Sequence, residues 1–440
     1  MRNFFKKDGL LDNYFEISKN GSNTKREIVA GLTTFMTMAY ILIVNPSILA
    51  AAGMDQGAVF TATALSAFVA TMLTGLYAKL PFAQAPGMGL NAFFAYTVVV
   101  GMGYSYQFAL TAVFLEGIIF ILLTLCNVRE AIVDSIPECI KKGISVGIGL
   151  LIALIGLEGA GIVVHPADGG TILALGNITK GAGLLAIIGL LITAILLAKN
   201  VRGALFFGMM ITAIIGIPFG ITPMPTGFMS APPSISGVLL DFEWHNIFSM
   251  DMVIVLFTLL FMDLFDTIGT LVGVATKAKM LDENGKVPNI KKALLSDAIG
   301  TTFGACVGTS TVSTFVESAS GVAEGGRTGL TAVTTAIMFG LSLLFAPIFA
   351  SITPAVTASA LILVGLFMIE PIRSINLEDY TESIPAFLTM IMMPFSYSIS
   401  DGIIFGVISY IILKLFTGKV KEISITTVII GIVFLLKFLV

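Results

Sequence analysis

The stretch PFAQAPGMGLNAFF, residues 81–94, cannot be an ordinary membrane helix. Pro81 and Pro86 remove backbone donors, Gly87 and Gly89 loosen the chain, and the apolar stretch that follows is short. A second stretch, GTSTVSTFVESASG at residues 308–321, is β-branched and hydroxyl-rich, and leads to a short helix-compatible piece closing on EGGR at 324–327. Non-helical backbone at membrane depth is tolerated only where it is buried in protein or lines a cavity. Each stretch therefore reads as a short extended strand leading into a half-helix, with free backbone N–H groups aimed at a cavity. Glycines can also serve only to let helices pack closely. The polar side chains at the two breaks favour a binding site.

The surroundings fix the solvent. Of 440 residues, 56% are hydrophobic and only 12% are Asp, Glu, Lys or Arg, about half the usual ~25%. So few charges cannot cover a soluble surface of this size, which excludes secreted enzymes, nucleic-acid binders and cytosolic metal enzymes. Apolar runs near the ~20 residues of a spanning helix recur roughly fifteen times, from 28–50 to 422–440. Cys126, Cys139 and Cys306 are scattered in apolar surroundings and read as small hydrophobes. His165 and His245 lie in polar connections, so neither a metal set nor a cofactor is expected. The polar, basic Met1–Arg26 does not read as a cleavable signal, and the first run is expected to be retained.

Charge placement gives orientation. With the N-terminus in the cytoplasm, alternating spans put every one of the 24 Lys and Arg on the cytoplasmic side except Lys180 and Lys437. Two weak internal matches lie seven runs apart: GALFFGMMI at 203–211 with GIIFGVISY at 402–410, and LSAFVAT at 65–71 with LSDAIGT at 295–301. An odd offset inverts the copies, the mark of an inverted-repeat transporter. The broken third and tenth runs then occupy corresponding positions, and such a pair points to the binding site.

Seven acids fall in the apolar runs, and each is a functional hypothesis because a carboxylate near the bilayer centre is costly. Glu158, Asp297 and Glu324 lie near run ends, where water accounts for them. Glu116 is isolated, and a helix–helix hydrogen bond would explain it. Asp263 and Asp266 stand at i and i+3 of the eighth run, on one side of the helix. Two adjacent carboxyls in a low-dielectric site suit proton binding, which makes Asp263 a proton-coupling candidate. Glu317, at the break of the tenth run, could face the same cavity. Acids without basic partners suit a cation or a neutral ligand rich in N–H donors. Nucleobases, amino acids and simple cations all fit that description.

Four strings go further: TTFMTMAYILIVNP at 33–46, QAPGMGLNAF at 84–93, FDTIGT at 265–270 and ESASGVAEGGRTG at 317–329. On these the chain resembles the nucleobase–ascorbate transporter superfamily, specifically its AzgA-like adenine/guanine/hypoxanthine permease branch, over essentially its whole length. The resemblance implies an all-α polytopic membrane protein of about fourteen transmembrane segments, two inverted repeats of seven, with the third and tenth segments broken into strand plus half-helix. It implies a cytoplasmic N-terminus (1–27), a core domain (28–127 and 250–350), a gate domain (128–220 and 351–440) and an external loop (221–249). The last run, 422–440, would be an addition outside the repeats. The resemblance also implies a cell-membrane protein that imports purine bases with protons, its core moving like an elevator against a gate that supports a homodimer. In the family pattern Asp266 holds the base edge, Glu317 makes the second contact and Asn91 orients the site. Asp266 and Glu317 are then proton-coupling candidates beside Asp263. Ser318 stands where the uracil, xanthine and ascorbate branches place Asn. Thr270 stands where some relatives carry a proton-coupling His. Both join the substrate-binding candidates.

Other classes fit less well. An anion exchanger on the same architecture would need a basic group near Ser318–Gly321, and the sequence has none there. An intramembrane enzyme would need a metal set, a Gly-x-Ser-x-Gly elbow or a base–nucleophile pair. A channel would show a repeated filter or a ring of charges.

Overall fold

Proline, glycine and hydroxyl placement decides where the helices of this chain start and stop. The computed structural model describes residues 9–126, 137–166, 173–277, 280–281, 287–424, 427–428 and 431. A short helix α1 (Leu10–Phe15) precedes α2 (Thr24–Met38), which Asn23 caps by accepting Arg26 N–H. A turn at Ala39–Tyr40 separates α2 from α3 (Ile41–Ala50) within one apolar stretch. Asp55 caps α4 (Gln56–Leu73) in the same manner.

The 81–94 stretch forms the strand β1 (Gln84–Pro86) and the short helix α5 (Met88–Ala92), which continues as a wider helical turn through Gly101. There follow α6 (Tyr106–Leu125), α7 (Glu138–Gly159), α8 (Gly181–Ala198), α9 (Ala204–Gly216) and the long α10 (Met250–Lys277). Next, α11 (Ile290–Val307) ends at Gly308, whose φ of +95° is a left-handed turn suited to glycine. That turn feeds β4 (Val312–Thr314) and the half-helix α12 (Ser318–Ala323). Arg327 closes α12 by donating to Val322 O at 2.6 Å. The chain finishes with α13 (Gly329–Ser342), α14 (Ala346–Ala350), α15 (Pro354–Met368), α16 (Tyr380–Ser396) and α17 (Ile399–Phe416). The expected segment 422–440 lies mostly outside the described residues.

Strands β1 and β4 pair antiparallel, with Gln84 opposite Thr314, Ala85 opposite Ser313 and Pro86 opposite Val312. Because they are antiparallel, α5 and α12 leave the crossing in opposite directions. A second small ribbon, β2 (Val163–Val164) with β3 (Ala174–Leu175), was not anticipated. Eight helices among the described residues are long and apolar enough to cross a membrane, and α9 and the α5 continuation are shorter apolar helices.

The helices pack in two groups. Helix α2 lies against α12 and α13, α4 against α11 and α13, and α6 against α10 and α11. Separately, α7 packs on α15, α16 and α17, and α8 packs on α9 and α15. The segment 221–249 has no regular element and folds onto the first group, with Pro233 O accepting from Thr61 and Leu240 N–H donating to Cys306 O.

Candidate functional site

The crossing of β1 and β4 gathers most of the polar side chains that the sequence singled out. Backbone bonds lock it at both ends: Gly87 N–H donates to Thr311 O and Phe315 N–H to Ala83 O, each at 3.0 Å. Ser318, at the head of α12, accepts Ala83 N–H on Oγ at 3.0 Å and is fully buried. It fastens one half-helix to the strand of the other.

Asp266 projects from α10 and accepts from Ser313 Oγ at 2.8 Å. Unlike its buried neighbours Asp263 and Thr267, it is solvent-accessible. Gly269, one turn on, is also exposed, and a side chain placed there would meet nothing within 4 Å. Thr270 is half-buried one turn from Asp266. This face of α10 is open.

Glu317 is half-buried ahead of α12, and its Oε1 accepts from Tyr40 OH at 2.7 Å. Tyr40 itself is 1% exposed and sits in the turn between α2 and α3. One turn back on α2, Thr37 Oγ1 lies 2.9 Å from Ser320 Oγ, so the first and tenth runs are joined twice. Asp266 is held at Ser313 within β4, and Glu317 stands three residues beyond the end of that strand. The structure thus brings both acids to the strand crossing, each steadied by a hydroxyl.

Two expectations change. The first N–H groups of α12 are not free: Ser318, Ala319 and Ser320 donate to Phe315 O, Val316 O and Glu317 O in tight turns. Asp263 and Asp266 also differ in setting, since Asp263 points into the protein, where its Oδ1 accepts from Thr267 Oγ1 at 3.0 Å. At ~60° apart on the helix, one acid meets the open face and the other the interior.

Asn91 lies fully buried in a separate polar chain. Its Nδ2 donates to Asn45 Oδ1 at 2.8 Å, and Asn45 Nδ2 donates to Thr63 Oγ1 and Thr309 Oγ1. It ties α5 to α3, α4 and the segment leading into β4, so any influence on the open face is indirect.

The remaining acids are held by protein. Glu116 accepts from Thr311 Oγ1 at 2.5 Å, a partner in the extended segment before β4 and not on a second helix as expected. Asp297 is fully buried rather than hydrated, because α11 begins at Ile290 and carries it about two turns inward. Glu158 is bound by Tyr397 OH and by His165 Nε2, and Glu324 by Arg202. Tyr40, Ser313, Thr37 and Ser320 went unassigned in the sequence, although Tyr40 and Thr37 stand in the 33–46 string and Ser313 and Ser320 in the 308–321 stretch.

Carboxylate oxygens beside an open helix face, each anchored on one side by a hydroxyl, can accept paired N–H donors from a small ligand. Comparison with known proteins agrees in kind. A family model described as a permease family matches residues 25–405. The guanine/hypoxanthine permease PbuG of Bacillus subtilis is 45% identical, the match covering 98% of this chain and 99% of that protein. The adenine permease AdeP of Escherichia coli is 42% identical, over 98% and 96%. Among solved structures, the transmembrane domain of the cyanobacterial bicarbonate transporter BicA superposes with a TM-score of 0.66 at 16% identity, covering 87% of this chain and 97% of that one.

Proposed function

The chain belongs to the permease family of nucleobase–ascorbate transporters, and from that membership we propose that it imports the purine bases hypoxanthine, guanine or adenine by proton symport. The observation that carries this reading is the convergence of Asp266 and Glu317 on the β1–β4 crossing. Nearly full-length relatives that are purine permeases support it. Asp266 holds the N–H edge of the base and Glu317 makes the second contact. Thr270 borders the ligand, while Ser318 and Asn91 keep the two half-helices in place. Asp263, with Asp266 and Glu317, belongs to the acids that couple to the proton.

In this reading the chain has fourteen spans as two inverted repeats, with a cytoplasmic N-terminus in the cell membrane. The α2–α6 and α10–α14 group is the moving core, and α7–α9 with α15–α17 form the gate, through which two copies associate. Labelled-base uptake in a permease-deficient host, with and without a protonophore, tests it. Wild-type protein should accumulate at least one purine, and the protonophore should abolish accumulation. Asp266→Asn and Glu317→Gln should each abolish uptake while the protein still reaches the membrane. Undiminished uptake by either variant would remove that acid from the site.

A further inference from the structure

Between Arg202 and Asp241 the chain carries no Asp, Glu, Lys or Arg. The part of this stretch beyond α9 has no helix or strand, and it holds Pro218, Pro223, Pro225, Pro232 and Pro233. Phe219, Met224, Phe228 and Met229 within it are 55–75% exposed. Large apolar side chains gathered on a surface mark contact with a membrane or with another protein.

Two contacts give the depth of this stretch. Ser230 N–H donates to Leu344 O at 3.0 Å, and the Phe228 ring packs edge-on to Phe345 at 5.6 Å. Leu344 and Phe345 lie within Gly329–Ala350, one of the stretches long and apolar enough to cross a membrane. On that stretch Ile337, Leu341 and Leu344 are exposed at spacings of four and three, along one face of a helix. The exposed apolar patch thus runs on from a face that meets lipid chains. Irregular backbone is not tolerated in the hydrocarbon itself, where its N–H groups find no partner. Water still reaches it at the headgroup boundary. Proline has no N–H to satisfy, so the five prolines ease the settling of this backbone there.

We propose that residues 219–229 lie along the membrane surface, with Phe219, Met224, Phe228 and Met229 set into the boundary between phospholipid headgroups and acyl chains. The leaflet concerned is the one at the end of the helices where α9 stops and α10 starts. A second copy of the chain is the competing occupant, and the continuity of the patch with the exposed face of α13 favours lipid. Further along, the segment is fastened to protein: Thr61 Oγ1 donates to Pro233 O at 2.9 Å, and Leu240 N–H to Cys306 O at 2.8 Å. The lipid-seated stretch is therefore the length between α9, in one helical group, and this fastening to the other group. The placement goes beyond the transport reading and is independent of the substrate; it needs only that the helices span a membrane.

Trp244 is the single tryptophan of the chain, so Trp244→Phe supplies a background without indole fluorescence. Phe228→Trp is added to it, and the purified full-length protein is reconstituted into phosphatidylcholine vesicles. Fluorescence is read in plain lipid, in lipid brominated beside the headgroup, in lipid brominated at the chain end, and with iodide in the water on both faces. Emission should shift to shorter wavelength than that of tryptophan in water. Bromine beside the headgroup should remove most of the intensity, and bromine at the chain end or iodide much less. Met224→Trp should behave alike, and it serves if the Phe228→Trp protein does not fold, as judged by its melting temperature. Water-like emission quenched by iodide and untouched by bromine would overturn the proposal by placing the segment in water. Indifference to all three quenchers would overturn it too, by placing a protein surface such as a second copy over the patch. Strongest quenching by chain-end bromine would also overturn it, since the segment would then lie in the hydrocarbon rather than at its boundary.

Discussion

Tyr40 belongs to no charged motif, yet its hydroxyl holds Glu317 at 2.7 Å from inside the α2–α3 turn. Losing one hydrogen bond to a charged group costs about 1.5–3 kcal/mol. Tyr40→Phe should therefore raise KM for purine uptake by roughly tenfold or more, with membrane level unchanged. An unchanged KM would mean that Glu317 is oriented by other groups. Asp266 and Glu317 were legible in the sequence because a carboxylate in an apolar run is costly and stands out. Tyr40 was not, since an aromatic with a polar tip is ordinary in a membrane segment. Asp297 was misjudged for a different reason. The apolar run begins at about residue 293, but the helix begins at Ile290, so Lys291 and Lys292 are already helical and Asp297 lies deeper than hydropathy implies.

Helix ends and breaks carry the next level of control. The proline- and glycine-rich 81–94 stretch and the hydroxyl-rich 308–321 stretch were readable as strand plus half-helix. Their antiparallel register, Gln84 opposite Thr314, was not, because pairing joins residues 230 apart. Close approach of α12 to α2 depends on Gly321, where a Cβ would fall 2.1 Å from Thr34 Oγ1 and 2.6 Å from Ala30 O. Gly321→Ala should lower the melting temperature of the purified protein, as overpacking typically costs about 1–3 kcal/mol; an unchanged value would show that α12 can shift freely. A pH effect belongs to the start of α16. Asp379 caps that helix at Thr381 and pairs with Lys419, and the Lys419 ammonium, first among its partners, holds the carboxyl well below the usual range. Its stabilisation is therefore present above the ordinary carboxylate range and is lost as pH falls through the lowered value. The melting temperature of Asp379→Asn should lie below wild type at neutral pH, and the two should converge in acid. A constant gap at every pH would exclude the ion pair as its source.

At the scale of the molecule, the opposed directions of α5 and α12 give each half-helix its own contact with the other helical group. At the end of α12, Glu324 pairs with Arg202, which stands just ahead of α9. In the continuation of α5, Thr97 Oγ1 accepts Ile399 N–H at 3.4 Å and Tyr96 packs edge-on to Tyr397 at 6.2 Å. In the proposed inverted-repeat reading these two contacts are equivalent, and a core that slides against a gate would have to break them. The weak internal matches motivate that reading; which residues meet across the groups depends on packing that no single segment encodes. The Arg202 side chain is 57% exposed, so the ion pair should be worth about 1 kcal/mol or less. Arg202→Ala should then change the uptake rate no more than about fivefold. Joining the same two positions covalently should do far more. With Cys126, Cys139 and Cys306 replaced by Ala, an Arg202→Cys/Glu324→Cys pair should lose uptake on oxidation and regain it on reduction. Uptake that continues through a fully oxidised cross-link would show that the two groups transport without separating here.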